Sequence, residues 1–333
     1  MRPLADAESD WRGVLLAGAP HTTEYLPSFI RYFTAYSREA HPGSQDLSIT
    51  LYYDGRPAGI WPLALLRSDE GFRCGSNMGA VLPPAFRPDL PPGVLKRLER
   101  AAFALVNDLC RFAGQPSWQG RTLTDACGIS DWYRCIMAAG ATVAVAHDLW
   151  CDLSPPPEML WSGLRKRFRP LINKARRLWR AETIHALRGE VLEEVRGFHL
   201  AVAGRQTRSA AVWQAQANSV NQGEGFAVLL RNDIGRLVGA GIFHCSHRTA
   251  SYATGIYDRN LFDLPVGHLV QMLAIEEMKR RDLAWYQIGQ RSYAGEAAHP
   301  NAKEQSIGFF KEGFASETRL LLETDCPIGA SAA

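Results

Sequence analysis

No run of about 18 apolar residues occurs in the 333-residue chain, so the sequence holds nothing long enough to cross a bilayer as a helix. C-x-x-C spacing is missing as well. The seven cysteines, at positions 74, 110, 127, 135, 151, 245 and 326, are scattered and odd in number, which excludes a simple disulfide framework and fits reduced thiols in a cytoplasmic protein. The N-terminus, Met1-Arg2-Pro3-Leu4-Ala5-Asp6-Ala7-Glu8, carries acidic residues and no apolar core, and does not read as a secretory signal. Also absent are G-x-S-x-G, H-E-x-x-H, a Walker phosphate loop and a complete G-x-G-x-x-G; Gly223-Glu224-Gly225 and Gly239-Ala240-Gly241 lack the third glycine. The nine histidines show no metal-ligand spacing, and His244 and His247 flanking Cys245 are too few for a site, so neither a metal nor a cofactor is expected. A net charge of +3 is too small to call for a nucleic-acid partner by itself; where the charge lies says more than its total.

What is present reads as an ordinary globular chain, 46% hydrophobic and 21% charged, and its length suggests about two domains. Ser154-Pro155-Pro156-Pro157 is the clearest punctuation. It sets an expected first domain over 1–153, a second over 154–327 and a tail over 328–333. Each half reads as helices, a hairpin-rich sheet, then a helix and a closing strand. In the first half, Pro20-His21 is a break, a helix covers about 28–39, strands flank Asp54-Gly55-Arg56, and a longer helix covers about 93–112. In the second, one helical stretch runs from Pro157 to about Trp179 and is kinked or split by Pro170. Helices over 190–203 and 209–221 follow. Strands over 226–230 and 237–243 pair across Asn232-Asp233-Ile234-Gly235, and a third covers 249–256. The loop 257–268 then opens a helix to Arg281, and strands lie over 285–288 and 317–322. Neither half alternates β and α regularly, so the expected class is α/β with mixed sheets, in two domains of similar design.

Three stretches carry residues suited to chemistry. In Lys303-Glu304-Gln305-Ser306-Ile307-Gly308-Phe309-Phe310-Lys311-Glu312-Gly313-Phe314, the core from Phe310 to Phe314 reads as a short β-like segment with Lys311 among aromatic rings. A lysine head in a partly dry pocket stabilises a developing oxyanion; the alternative is an edge lysine that snorkels past its phenylalanines. The second stretch is a basic helix face of Arg165, Lys166, Arg167, Arg169, Lys174, Arg176, Arg177 and Arg180, with no acidic residue between Glu158 and Glu182. It suits a polyanion, or it is a solvated face or one paired with acidic residues of the first half. The third, Arg205-Gln206-Thr207-Arg208-Ser209, lies at a helix–helix junction. It suits acceptor phosphates, or it is a solvated cap with Ser209 as N-cap. His268 reads either as a helix-start residue or as a base.

Four blocks in order resemble the GNAT superfamily, in particular the FemABX-like aminoacyltransferases. These are the basic helix from Leu164 to Arg177, then Val238-Gly239-Ala240-Gly241-Ile242-Phe243 with Tyr252 and Tyr257-Asp258, then Pro265 to Val270 running on to Tyr286-Gln287-Ile288-Gly289, and the Phe310-Lys311-Glu312-Gly313-Phe314 segment. The resemblance implies two GNAT-like subdomains and an amide-forming acyl or aminoacyl transfer to an amine acceptor, such as an amino-sugar nucleotide, a cell-envelope precursor or a natural-product amine. It matches Lys311 to the lysine that steadies the tetrahedral oxyanion. Asp258 or Glu304 is the expected proton acceptor, undecided between the two. Arg205, Arg208, Tyr257, Arg291, Tyr293 and Phe310 are expected acceptor contacts. Arg165, Lys166, Arg169, Arg176 and Arg177 are expected donor contacts if the donor is aminoacyl-tRNA. Acyl-CoA enzymes of the superfamily usually hold the pyrophosphate with a [QR]-x-x-G-x-[GA] loop, which is missing here, so charged tRNA is favoured slightly over acyl-CoA. A conventional acyl-CoA N-acetyltransferase and a non-catalytic RNA-binding protein are the competing readings.

Overall fold

The computed structural model describes residues 1–18, 22–69, 71–77, 79–124, 130–296 and 299–329. The expected break at Pro20-His21, Cys127 and the last four residues of the tail lie outside them. The chain divides into two compact units, Met1–His147 with Arg319–Ala333, and Asp148–Thr318.

The first unit contains β1 (Arg2–Pro3), α1 (Glu8–Ala17), α2 (Pro27–Ala40), β2 (Gln45–Asp46), β3 (Ile49–Tyr53), β4 (Arg56–Trp61), β5 (Ala64–Ser68), β6 (Gly71–Gly75), β7 (Ala85–Phe86), α3 (Pro92–Phe112), β8 (Ser117–Leu123) and α4 (Asp131–Ala138). β1-β3-β4-β7 form one sheet and β2-β5-β6 another, while β8 pairs antiparallel with the C-terminal strand from Glu317 to Pro327. The β3–β4 hairpin turns at Asp54 and Gly55, both at positive φ, as a two-residue turn that matches strand twist requires. Trp61, Trp118 and Trp132 pack ring to ring in its core, and Trp118 Nε1 donates to Asn107 Oδ1 at 2.9 Å.

The second unit begins within β9 (Thr142–Asp152) and continues through α5 (Pro157–Gly163), α6 (Phe168–Leu178), β10 (Arg180–Ile184), α7 (Gly189–Ala203), α8 (Ala210–Asn221), β11 (Gly225–Arg231), β12 (Leu237–Cys245), β13 (Thr249–Tyr257), α9 (Val266–Arg280), β14 (Trp285–Arg291) and α10 (Ala302–Glu312), ending inside β15 (Glu317–Pro327). Its sheet runs β10-β11-β12-β13-β14-β9. β11 shows how the layers arise. Phe226, Val228 and Leu230 face the cluster built with α6 and α9, whereas Ala227 and Leu229 face the cluster built with α7 and α8. A strand apolar on both faces is buried on both faces, and helices cover each side. The α/β class with mixed sheets is the observed class.

Two local expectations are corrected. The stretch from Pro157 to Trp179 is two helices, and the break lies at residues 164–167, ahead of Pro170. Pro170 sits in the first turn of α6, where its missing N–H has no intrahelical partner to lose. The segment at Phe310 is not β-like: it is the last turn of α10, which starts at a capping box between Asn301 and Glu304. Phe310 and Phe314 stand four apart, as residues sharing one helical face do, and this spacing outweighs the local enrichment in aromatics.

Candidate active site

β13 and β14 run parallel but pair over three residues only, Thr249–Ser251 against Trp285–Gln287. Beyond Ser251 and Gln287 the ladder between them stops, although β13 continues to Tyr257 and β14 to Arg291. Lys311, reaching from the last turn of α10, places its Nζ at this opening. The ammonium lies 5.9 Å from the centre of the Tyr252 ring on β13 and over the backbone of Gly289 on β14. Gly289 has φ +108°, and a Cβ there would stand 2.8 Å from Lys311 Nζ. Only glycine both takes that backbone angle and leaves room for the ammonium.

Burial holds the Lys311 pKa below its ordinary value, and the carboxylate of Asp148 opposes this drop. Asp148 is 2% exposed, and its Oδ2 accepts from Trp150 Nε1 at 2.9 Å and from Gln287 Nε2 at 2.7 Å. Among the described residues no carbonyl, hydroxyl or carboxylate accepts a hydrogen bond from Lys311 Nζ. Its three donors are therefore without an acceptor among the described residues.

Hydroxyls gather next to it. Tyr252 and Tyr257 meet oxygen to oxygen at 2.6 Å, across Gly255, where a Cβ would collide with the Tyr252 hydroxyl. Tyr286 donates to Gln271 Oε1 at 2.5 Å. Burial pushes the Tyr257 pKa up to about 12 and raises those of Tyr252 and Tyr286 well above 10, so all three phenols are neutral donors at pH 7. His268, in the first turn of α9, stands in a cage of Phe168, Phe310 and Phe314, with ring centres 4.5, 5.0 and 6.4 Å away. Burial there lowers its pKa to about 4 and keeps the imidazole neutral.

The residues singled out in the sequence fall into separate places. Lys311, Tyr257 and Phe310 come together: Phe310 and Tyr257 both pack against Gly267 at the start of α9. Asp258 caps the short turn after β13, its Oδ1 accepting from Asn260 N at 3.0 Å. Glu304 completes the α10 capping box, accepting from Asn301 N at 2.8 Å. At 1.5 Å per residue it lies about 10 Å along the helix from Lys311. Arg208 donates to Gln216 Oε1 at 2.9 Å and Thr254 Oγ1 at 3.1 Å, and Arg205 is exposed in the same junction. Arg291 and Arg165 share Glu312 Oε2 at 3.3 and 3.2 Å, and Arg291 covers Tyr293. Arg176 pairs with Glu276, while Lys166 and Arg177 are exposed and Arg169 is half-buried.

Sequence reasoning missed Asp148 and Gln271, and gave no site role to Tyr286 and Gln287 although both lie in the third block. One signal was available: an aspartate amid the otherwise apolar run of a strand is rarely buried without a partner.

No family model and no curated protein matches the chain. Solved structures do. FemX is 11% identical with a TM-score of 0.68, over 98% of this chain and 96% of that one. A tandem GNAT protein from the clavulanic acid biosynthesis pathway is 17% identical with a TM-score of 0.53, over 98% and 96%. The C-terminal domain of a putative lysylphosphatidylglycerol synthetase from Agrobacterium fabrum is 9% identical with a TM-score of 0.56, over 98% and 92%. The chain has the FemX-like, tandem GNAT fold, and the resemblance read from the four sequence blocks holds at the level of fold.

Proposed function

We propose that this chain is an amide-forming transferase that moves an acyl or aminoacyl group to an amine. The observation that carries the reading is the Lys311 ammonium, set in the opening between β13 and β14 with no acceptor among the described residues. In the proposed step the amine lone pair attacks the donor carbonyl carbon and forms the C–N bond. The carbonyl oxygen becomes an oxyanion opposite Lys311 Nζ. Collapse breaks the donor C–O or C–S bond, and the proton shed by the amine ends on the leaving oxygen or sulfur. A fixed ammonium in a partly dry site stabilises that oxyanion more than the ground-state carbonyl, and this difference is what accelerates a reaction. The Tyr252–Tyr257 hydroxyl pair is our candidate for carrying the proton. No step is assigned to Asp258, whose carboxylate caps a short turn, or to Glu304, whose carboxylate caps the start of α10.

We favour aminoacyl-tRNA as donor. In acyl-CoA enzymes of this superfamily the pyrophosphate lies at the start of a helix, and here the start of α9 is covered: Phe310 and Tyr257 pack on Gly267 within 3.3 and 3.5 Å of where a Cβ would sit. The exposed Lys166 and Arg177, with Arg169, are the phosphate contacts we assign on α6 and the turn before it. Solved structures of the same fold include one named for lysylphosphatidylglycerol synthesis, which is consistent with an aminoacyl donor.

The test is a donor screen. Purified protein is mixed with charged tRNA or acetyl-CoA and a panel of amino sugars and diamines, and amide products are read by mass spectrometry. Amide formation from charged tRNA is the expected result. Products from acetyl-CoA alone overturn the donor assignment, and no product from either, with the protein folded, overturns the transferase reading.

A further inference from the structure

A carboxylate taken out of water is costly unless an opposite charge and fixed donors compensate it. Asp148, on β9, is 2% exposed. Its Oδ2 accepts from Trp150 Nε1 at 2.9 Å and from Gln287 Nε2 at 2.7 Å. Both donors are neutral. What they require at position 148 is an acceptor oxygen, and the amide oxygen of an asparagine would serve them. They give no reason for a negative charge at that place.

Lys311 gives one. Gln287 precedes Gly289 by two residues on β14, about 7 Å along the strand, and the Lys311 ammonium lies over the backbone of Gly289. The hydrogen bond to Gln287 therefore anchors the carboxylate beside the opening. Burial works against the charge on Nζ, and the Asp148 carboxylate works for it. The other groups around Lys311 are neutral or engaged. Tyr252, on β13, is a neutral phenol bonded to Tyr257, and β14 presents the backbone of Gly289. His268, on α9, is a neutral imidazole among phenylalanines. Glu312, next to Lys311 on α10, is tied to Arg165 and Arg291. Asp148, Trp150, Gln287 and Lys311 all belong to the second unit. We propose that Asp148 is a positioning residue of the transfer site: a buried counter-charge, fixed by Trp150 and Gln287, that keeps Lys311 in its ammonium form where the oxyanion develops. The pairing of the two charges stands on the geometry, and its use in catalysis rests on the transferase reading above.

Two readouts test this, one of them independent of activity. The chain has six lysines, so in protein carrying isotope-labelled lysine the NMR signal of the Lys311 ε-carbon is identified by its loss in Lys311→Met. The pH at which that signal moves marks the loss of the ammonium proton. Without a carboxylate at position 148 the proton leaves more easily, so the Lys311 midpoint in Asp148→Asn should lie at lower pH than in wild type, with the other lysines in place. Asp148→Asn/Gln287→Glu keeps the hydrogen bond with its direction reversed and returns the negative charge at its other end; the midpoint should move back up. Single-turnover transfer is the second readout. The rate of Asp148→Asn relative to wild type should fall about fivefold or more between roughly pH 6.5 and pH 9, and recover in the double variant. A purely structural loss lowers the rate by the same factor at every pH. That result, or a Lys311 midpoint unmoved in folded Asp148→Asn, overturns the proposal. Where Asp148→Asn does not fold, Asp148→Ser, whose hydroxyl is still an acceptor, takes the same measurements. A midpoint that moves in a protein making no amide from any donor tells against the transferase reading and leaves the charge pairing standing.

Discussion

Lys311 keeps its ammonium among rings, over a glycine and near one buried carboxylate, and this geometry depends on what Gly289 lacks. Gly289→Ala is expected to displace Nζ and to strain a backbone held at φ +108°. Transfer should fall at least tenfold, with stability reduced by about 1 kcal/mol; a steady-state rate and a urea midpoint check both. Two histidines give a pH dependence whose sign is fixed. Burial holds His244 and His268 neutral, each with a pKa of about 4. The unfolded chain, with an ordinary value of 6.5, binds more protons over that interval. The stability is complete above pH 6.5 and is lost as pH falls toward 4, by about 3 kcal/mol for the fully buried His244. Urea midpoints at pH 7.5, 5.5 and 4.5 should decline in that order, with a shallower decline in His244→Gln.

α10 shows how one element serves both fold and site. Its capping box fixes one end, Gly308 packs closely on Arg291, and Glu312 ties the other end to Arg165 and Arg291. Asn301→Ala should lower stability by about 1 kcal/mol. Glu304→Gln preserves the box and should change neither stability nor transfer rate by more than twofold, since glutamine serves at that position. A Glu304→Gln protein with its rate abolished would assign Glu304 as the base. The sequence shows α10's lysine but not its helix, because three phenylalanines and two glycines mimic strand composition while the capping signal sits ten residues upstream of Lys311. It shows β11 and β12, whose turn residues and apolar runs are local. It does not show that β13 and β14 separate after three pairs, which depends on pairing between residues 36 apart in the chain. Asp148 and Gln287 meet for the same non-local reason.

Across the whole chain the net charge is only +3, and the polyanion reading depends on where the positive residues lie. Some of the basic face is already occupied, Arg165 by Glu312 and Arg176 by Glu276. The exposed Lys166 and Arg177 are the ones expected to matter. Reversing both should weaken charged-tRNA binding at least tenfold and reduce the slope of log affinity against log salt by about two. Filter binding from 50 to 300 mM salt, as a rough span, checks this.

Oxyanion stabilisation by Lys311 is read from single-turnover transfer with Lys311→Met beside wild type, using the donor and amine that give product. If Lys311 holds the oxyanion, the rate falls roughly 100-fold or more, with circular dichroism and donor affinity unchanged. A Lys311→Met protein that transfers within twofold of wild type contradicts it.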